Sequence, residues 1–199
     1  MINILFDMQK ILSKYEELKG TPSDINEHFE TLLKYGSECE TITELGVRGI
    51  CSTWAFLAAK PKKLTSYDLK HPSFFGGNLE EVIEAVNETE IDFKFIEGDS
   101  TKIVIDNTDL LFIDTWHTND QLSLELKLHT KNVNKYLILH DTTTYEWTDE
   151  SFNHVHAWNQ NFVGGGLWVA IEKFLSLNSN WVIQDRFENN NGLTILKKI

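Results

Sequence analysis

The chain has 199 residues, 30 acidic against 18 basic side chains, a formal net charge of -12 and 41% hydrophobic content. That length suits one compact domain over residues 1–199, and the acidic balance, with no Lys/Arg-rich stripe, disfavours a nucleic-acid partner because a phosphate backbone would be repelled. No apolar run reaches the roughly 18 residues of a membrane helix, so no membrane partner is expected, and two cysteines with no secretory leader fit a cytoplasmic location.

Residues 2 to 18 mix Ile2, Ile4, Leu5, Ile11, Leu12 and Leu18 with charges, the pattern of an amphipathic helix outside the main sheet. A second helix is predicted from Thr21-Pro22-Ser23-Asp24, which offers a cap, a proline at the first helical position and an early carboxylate. Ile25, Phe29, Leu32 and Leu33 share its apolar face, and Gly36 ends it. Residues 1–36 thus form an N-terminal helical cap ahead of a core at 41–197.

From Thr41 the pattern alternates strands and helices: strand 41–45, helix 50–59 halted before Pro61, strand 64–67, helix 79–87, and strands 93–96 and 110–113. Helix 121–128, strand 136–139 and helix 167–177 continue it. The β-rich runs 181–187 and 193–196 are joined by Asn189-Asn190-Asn191-Gly192, residues that tolerate positive φ, which predicts a terminal antiparallel hairpin. The expected fold class is α/β, a mostly parallel seven-stranded sheet.

In an open α/β sheet, ligands bind beyond the carboxyl ends of the strands. The first strand runs into Glu44-Leu45-Gly46-Val47-Arg48-Gly49-Ile50-Cys51-Ser52, where Gly46 and Gly49 allow a tight bend close to a ligand. Asp68 ends the second strand and can accept hydrogen bonds from ribose hydroxyls; Asp99 and Ser100 after the third can hold an adenine edge. The Gly46-to-Asp68 spacing is that of dinucleotide folds, but G-x-G-x-x-G is absent, so a nucleoside without phosphates fits better than a nicotinamide dinucleotide. Asp114 and Asp141, closing the fourth and fifth strands, make a natural site for a hard cation such as Mg²⁺. His140 beside them suits Zn²⁺ or Fe²⁺ better, and Thr142 is a weak oxygen donor.

Together, Glu44-x-Gly46-x-x-Gly49, Asp68, Gly98-Asp99-Ser100 and the final hairpin resemble the Rossmann-like class I methyltransferases, over about residues 41 to 197. The resemblance implies S-adenosyl-L-methionine as cofactor, with Glu44, Gly46 and Ser52 near its methionine, Asp68 at the ribose, and Asp99 and Ser100 at the adenine. The segment Asp114-Thr115-Trp116-His117 with His140-Asp141 is similar to catechol O-methyltransferase, to macrolide-sugar O-methyltransferases and to the family named after cephalosporin hydroxylase. That implies Asp114 and Asp141 as ligands of Mg²⁺ or another divalent metal, with His140 as a further candidate ligand, Trp116 flanking the cofactor and His117 as general base. It also implies an acceptor hydroxyl on a sugar or glycan, or on a catechol or other small molecule. His140 departs from the sugar enzymes, which often carry an acid there. Asp114, His117 and His140 also compose a two-His, one-carboxylate set of the kind that holds non-haem iron in oxygenases, and a non-catalytic nucleoside-binding module is a third reading. The aromatic and His-bearing segment 144–168, with Tyr145, Trp147, His154, His156 and Trp158, reads either as a lid over the acceptor or as a cover for the core. Oligomeric state is not encoded in any of these features.

Overall fold

The computed structural model describes residues 8–150 and 164–199. In chain order the elements are α1 Gln9–Lys19, α2 Phe29–Gly36, β1 Thr41–Leu45, α3 Cys51–Ala58, β2 Lys63–Asp68, α4 Leu79–Val86, β3 Asp92–Glu97 and β4 Thr108–Ile113. They continue with α5 Asn119–His129, β5 Val133–His140, α6 Gly166–Leu177, β6 Trp181–Phe187 and β7 Leu193–Lys198. The strands form one sheet in the order β3-β2-β1-β4-β5-β7-β6. The first five are parallel, and β7 runs antiparallel between β5 and β6. The predicted α/β sheet with its terminal hairpin is therefore the observed one.

Alternation along the strands sends side chains to two cores. Leu110 and Phe112 of β4, with Tyr136 and Ile138 of β5, pack beneath α1 to α4. Leu111, Ile113, Leu137 and Leu139 face the opposite way, onto α5 and α6. Helix α3 is buried from Ser52 to Ala58, so it needs apolar or small residues all round rather than one stripe. The N-terminal helix α1 buries Ile11 and Tyr15 in the first core and so rests on the sheet's own helices. Among the described residues no helix is long and apolar enough to cross a membrane. Cys39 and Cys51 are unpaired.

The second helix begins later than Thr21-Pro22 predicts. Ser23 Oγ accepts from Asn26 N at 3.0 Å while Asn26 Oδ1 accepts from Ser23 N at 3.0 Å, a reciprocal pair of bonds that leads into a short 3₁₀ turn, Asn26–His28, before α2. The reason is that Ser23 with Asn26 satisfies two backbone donors at once, which Thr21 does not. The 189–192 turn forms as expected, with φ of 44° at Asn190, 70° at Asn191 and 96° at Gly192.

One buried acid ties the first three elements of the sheet together. Glu44, fully buried in β1, accepts hydrogen bonds from Ser52 Oγ, from Thr53 Oγ1 at 2.7 Å and from Ser66 Oγ at 2.8 Å. Burial outweighs these three donors and pushes its carboxyl up to about 7. A carboxyl with a raised folded-state value binds its proton more tightly in the fold than in the open chain. It therefore favours the fold below its ordinary value of 4.5, and that contribution is lost as the pH climbs to about 7. Glu44→Gln should flatten the pH dependence of stability across this window. Chemical denaturation at pH 4.5 and pH 7.5 should give the wild type an extra loss, relative to the variant, on the order of 3 kcal/mol; parallel pH profiles would show that Glu44 is not the titrating group.

Candidate active site

The sheet order reverses between β1 and β4, and a large cavity opens beyond the carboxyl ends of these strands, where a doubly wound sheet places its ligands. Gly46, Asp68, Asp99, Ser100, Asp114, Trp116, His117 and Asp141 all line it. Glu44 and Ser52 bond to one another behind its wall, and Gly49 lies where the loop at Gly77 crosses the β1–α3 loop. His140 is buried just behind Asp114 and Asp141.

Each feature of the first half follows from how the β1–α3 loop is held. Gly46 has φ of 85°, and a Cβ placed on it would stand 2.0 Å from the carbonyl oxygen of Asp114, so only glycine permits this approach of the β1 and β4 ends. Arg48 and Ile50 also have positive φ, which curls the loop tightly. Asp68 pins it: Oδ2 accepts from Val47 N at 3.0 Å and Arg48 N at 2.9 Å, while Oδ1 accepts from Lys70 N at 3.1 Å. Asp99 is fixed by Thr101 N and Oγ1, at 2.9 and 2.6 Å, and by Lys102 Nζ at 2.7 Å.

Ser100 leads to residues that the sequence reading does not single out. Its hydroxyl donates to Glu125 Oε1 at 2.6 Å and its carbonyl lies 2.8 Å from His129 Nε2. Thr115 Oγ1, at 2.8 Å, and Gln121 Nε2, at 2.7 Å, also donate to the fully buried Glu125, whose carboxyl burial pushes up to about 7. Gln121, Glu125 and His129 recur every four residues on α5, a polar stripe on a face that ought to be apolar, and that was the available signal.

In the second half, Thr118 caps α5 by accepting from Gln121 N at 3.2 Å, which ends β4 sharply and leaves Asp114 to His117 at the cavity. His117 Nε2 lies 2.8 Å from Asp141 Oδ2 and 3.4 Å from Asp114 Oδ1. Its Nδ1 lies 3.0 Å from Glu150 Oε2, and its ring stacks on Tyr145 at 4.7 Å and 3°. The backbone repeats the link, Glu150 N donating to the His117 carbonyl at 2.9 Å. His140 Nδ1 lies 3.4 Å from Asp114 Oδ1 and 3.2 Å from Asp141 Oδ2. Burial works against charge on both rings, but the two carboxylates outweigh it and raise each to about 10. In return, against the effect of its own burial, Asp114 is held well below the usual carboxylate range by His140 and His117.

Donor atoms of Asp114, His140 and Asp141 lie within 4.8 Å of one another. His140 Nδ1 is buried, and neither nearby carboxylate meets the geometry of a hydrogen bond to it. Two carboxylate oxygens and an unsatisfied imidazole nitrogen converging on one point fit a divalent cation. Of the segment expected to cover the site, Tyr145 and Trp147 line the cavity, whereas His154, His156 and Trp158 lie outside the described residues.

No family model matches the sequence, and no curated protein does. Solved structures do. The methyltransferase PaMTH1 of Podospora anserina, bound to SAH, is 14% identical, with a TM-score of 0.60 over 96% of this chain and 88% of its own. A putative caffeoyl-CoA O-methyltransferase from Staphylococcus aureus is 11% identical, with a TM-score of 0.61 over 95% and 91%. The O-methyltransferase TomG of Streptomyces achromogenes, in complex with SAM, is 13% identical, with a TM-score of 0.55 over 96% and 89%. The chain thus has the Rossmann-like fold of the SAM-dependent methyltransferases.

Proposed function

We propose that this protein is an S-adenosylmethionine-dependent O-methyltransferase, assisted by a divalent cation, acting on a hydroxyl of a sugar or glycan with His117 as general base. One observation carries the reading: the strand-end cavity of a methyltransferase fold joins a polar part, at Asp68, Asp99 and Ser100, to a part where two carboxylates and two imidazoles converge. Three of the similar structures are described as O-methyltransferases, two of them only putatively. A small-molecule catechol is the alternative acceptor on the same chemistry.

When bound, the cofactor supplies an electrophilic methyl group, and a divalent cation at Asp114, His140 and Asp141 supplies stabilisation of negative charge growing on an acceptor oxygen. The protein's task is to place that oxygen and take its proton. Glu150 accepts the Nδ1 proton of His117 and Tyr145 fixes the ring plane, so Nε2, which lies 2.8 Å from Asp141 Oδ2, is the nitrogen that would take the acceptor's proton once Asp141 is engaged elsewhere. Asp114 and Asp141 raise the proton affinity of His117, and engaging those carboxylates elsewhere lowers it toward neutrality, so this base depends on what its neighbours bind. Asp68 still has lone pairs for ribose hydroxyls beyond the loop amides it holds, and Trp116 offers a flat apolar wall beside the cofactor.

Calorimetric titration of the metal-stripped protein with S-adenosylmethionine should show binding, and Asp68→Ala should weaken it roughly 10- to 100-fold, the worth of a hydrogen bond to a charged group. A folded wild type that binds no cofactor would overturn the reading. His117→Ala should keep its cofactor affinity yet lose roughly 10²- to 10⁴-fold in turnover. The assay is transfer of labelled methyl to a panel of sugars, glycans and catechols, and undiminished transfer by the variant would remove His117 as the base.

A further inference from the structure

We propose that the cation of this site is a first-row transition-metal ion such as Mn²⁺, Fe²⁺, Co²⁺ or Zn²⁺ rather than Mg²⁺, selected by the Nδ1 atom of His140, which the β6–β7 turn presents. The inference rests on the cation-assisted reading above and narrows it to a metal class.

The carboxylates of Asp114 and Asp141 would serve any hard divalent ion, so they do not discriminate. His140 does, because an imidazole nitrogen suits the transition metals and is a poor ligand for Mg²⁺. The ring is 2% exposed and cannot turn to water. Its Nε2 lies 3.2 Å from the carbonyl oxygen of Asn190. A carbonyl only accepts, so Nε2 keeps its proton, and Nδ1, facing the two carboxylates, is the nitrogen from which a cation would displace a proton. That Nδ1 is buried and meets no hydrogen-bond partner of good geometry, and it lies between the two carboxylates. A histidine oriented through its far nitrogen by a backbone carbonyl is how metal-binding imidazoles are ordinarily held.

The carbonyl is itself held in place. Asn190 sits at φ of 44°, its Nδ2 donates to the Ser23 carbonyl at 2.8 Å, and its Oδ1 accepts from Glu27 N at 3.2 Å. His28, buried and edge-on to His140 with ring centroids 5.7 Å apart, lies 3.2 Å through Nε2 from the same Asn190 oxygen. Two imidazoles thus share one carbonyl, and the N-terminal segment and the hairpin turn together fix the tautomer of a strand-end histidine 50 residues away from Asn190. A site for Mg²⁺ would need no such arrangement.

The test is Co²⁺ binding to the full-length, metal-stripped protein without cofactor or acceptor. One equivalent should bind and give visible d–d absorption; Zn²⁺ should displace it at comparable concentration, and Mg²⁺ should fail even at a hundredfold excess. Proton NMR of the Co²⁺ form should show a strongly shifted, exchangeable ring N–H, the Nε2 proton of a histidine bound through Nδ1, and it should persist in His117→Ala. His140→Gln should weaken Co²⁺ at least tenfold; if that variant does not fold, the ring N–H in wild type decides. Displacement by Mg²⁺ at equal concentration, or absence of the ring N–H, would overturn the proposal. Co²⁺ binding by a protein that binds no S-adenosylmethionine would instead sink the methyltransferase reading and leave the metal class standing, whereas cofactor binding without Co²⁺ binding would do the reverse.

Discussion

The close approach of Gly46 to the carbonyl of Asp114 is the constraint on which the rest of the site depends. At this point β1 hands its backbone hydrogen bonds to both neighbours: Gly46 N donates to the Tyr67 carbonyl at 2.8 Å, and Asp114 N donates to the Leu45 carbonyl at 2.9 Å. With no side chain between them, the β1–α3 loop and the backbone of Asp114 lie against each other. In the proposed methyl transfer the reacting atoms must be held about 3 to 3.5 Å apart, and this contact would set the spacing of cofactor and acceptor by backbone rather than by rotatable side chains. The sheet supplies the location through its reversal of order, and the glycine supplies the proximity.

Beneath each half lies a buried acid surrounded by hydroxyls. Glu44 draws Ser52, Thr53 and Ser66 together under the β1–α3 loop, and Glu125 draws Ser100, Thr115 and Gln121 together under the loops after β3 and β4. An apolar residue in either position would fill the volume but leave those donors without partners, at roughly 1 to 3 kcal/mol each. The acids therefore add to the Asp68 tie in joining neighbouring strand ends, and they do so without facing the cavity. Burial raises both carboxyls to about 7, so each holds its proton through the mildly acidic range.

Much of this was legible in the sequence. The short apolar runs Leu110–Ile113 and Tyr136–Leu139 mark strands because each faces two cores, and Asn189 to Gly192 marks a turn because few other residues accept positive φ in succession. Asp68, Asp99, Asp114, His117 and Asp141 could be placed because a parallel sheet sends its strand ends to one edge, so position along the chain converts directly into position in space. What escaped depends on contacts across the chain. Glu150 meets His117 from 33 residues away, and Asn190 acts through a carbonyl that every residue possesses. The start of α2 escaped for a local reason, since Thr21-Pro22 and Ser23 with Asn26 offer competing caps and only the reciprocal pair satisfies two donors.

The charges at the chemical end set the terms on which it can work. Two carboxylates and two imidazoles share a space in which each imidazole lies within 3.4 Å of both acids, so a proton on either ring is stabilised by both. A divalent cation, in the proposed reading, would compete with a proton for the same lone pairs on Asp114, Asp141 and His140, and whatever occupies those carboxylates would weaken their hold on a proton at His117. Glu150 lies on the other side of the ring and accepts at Nδ1, which leaves Nε2 as the nitrogen that faces Asp141 and Asp114. In the proposed reaction the strength of His117 as a base would therefore be conditional on the neighbouring acids, coming into the useful range when those acids are engaged.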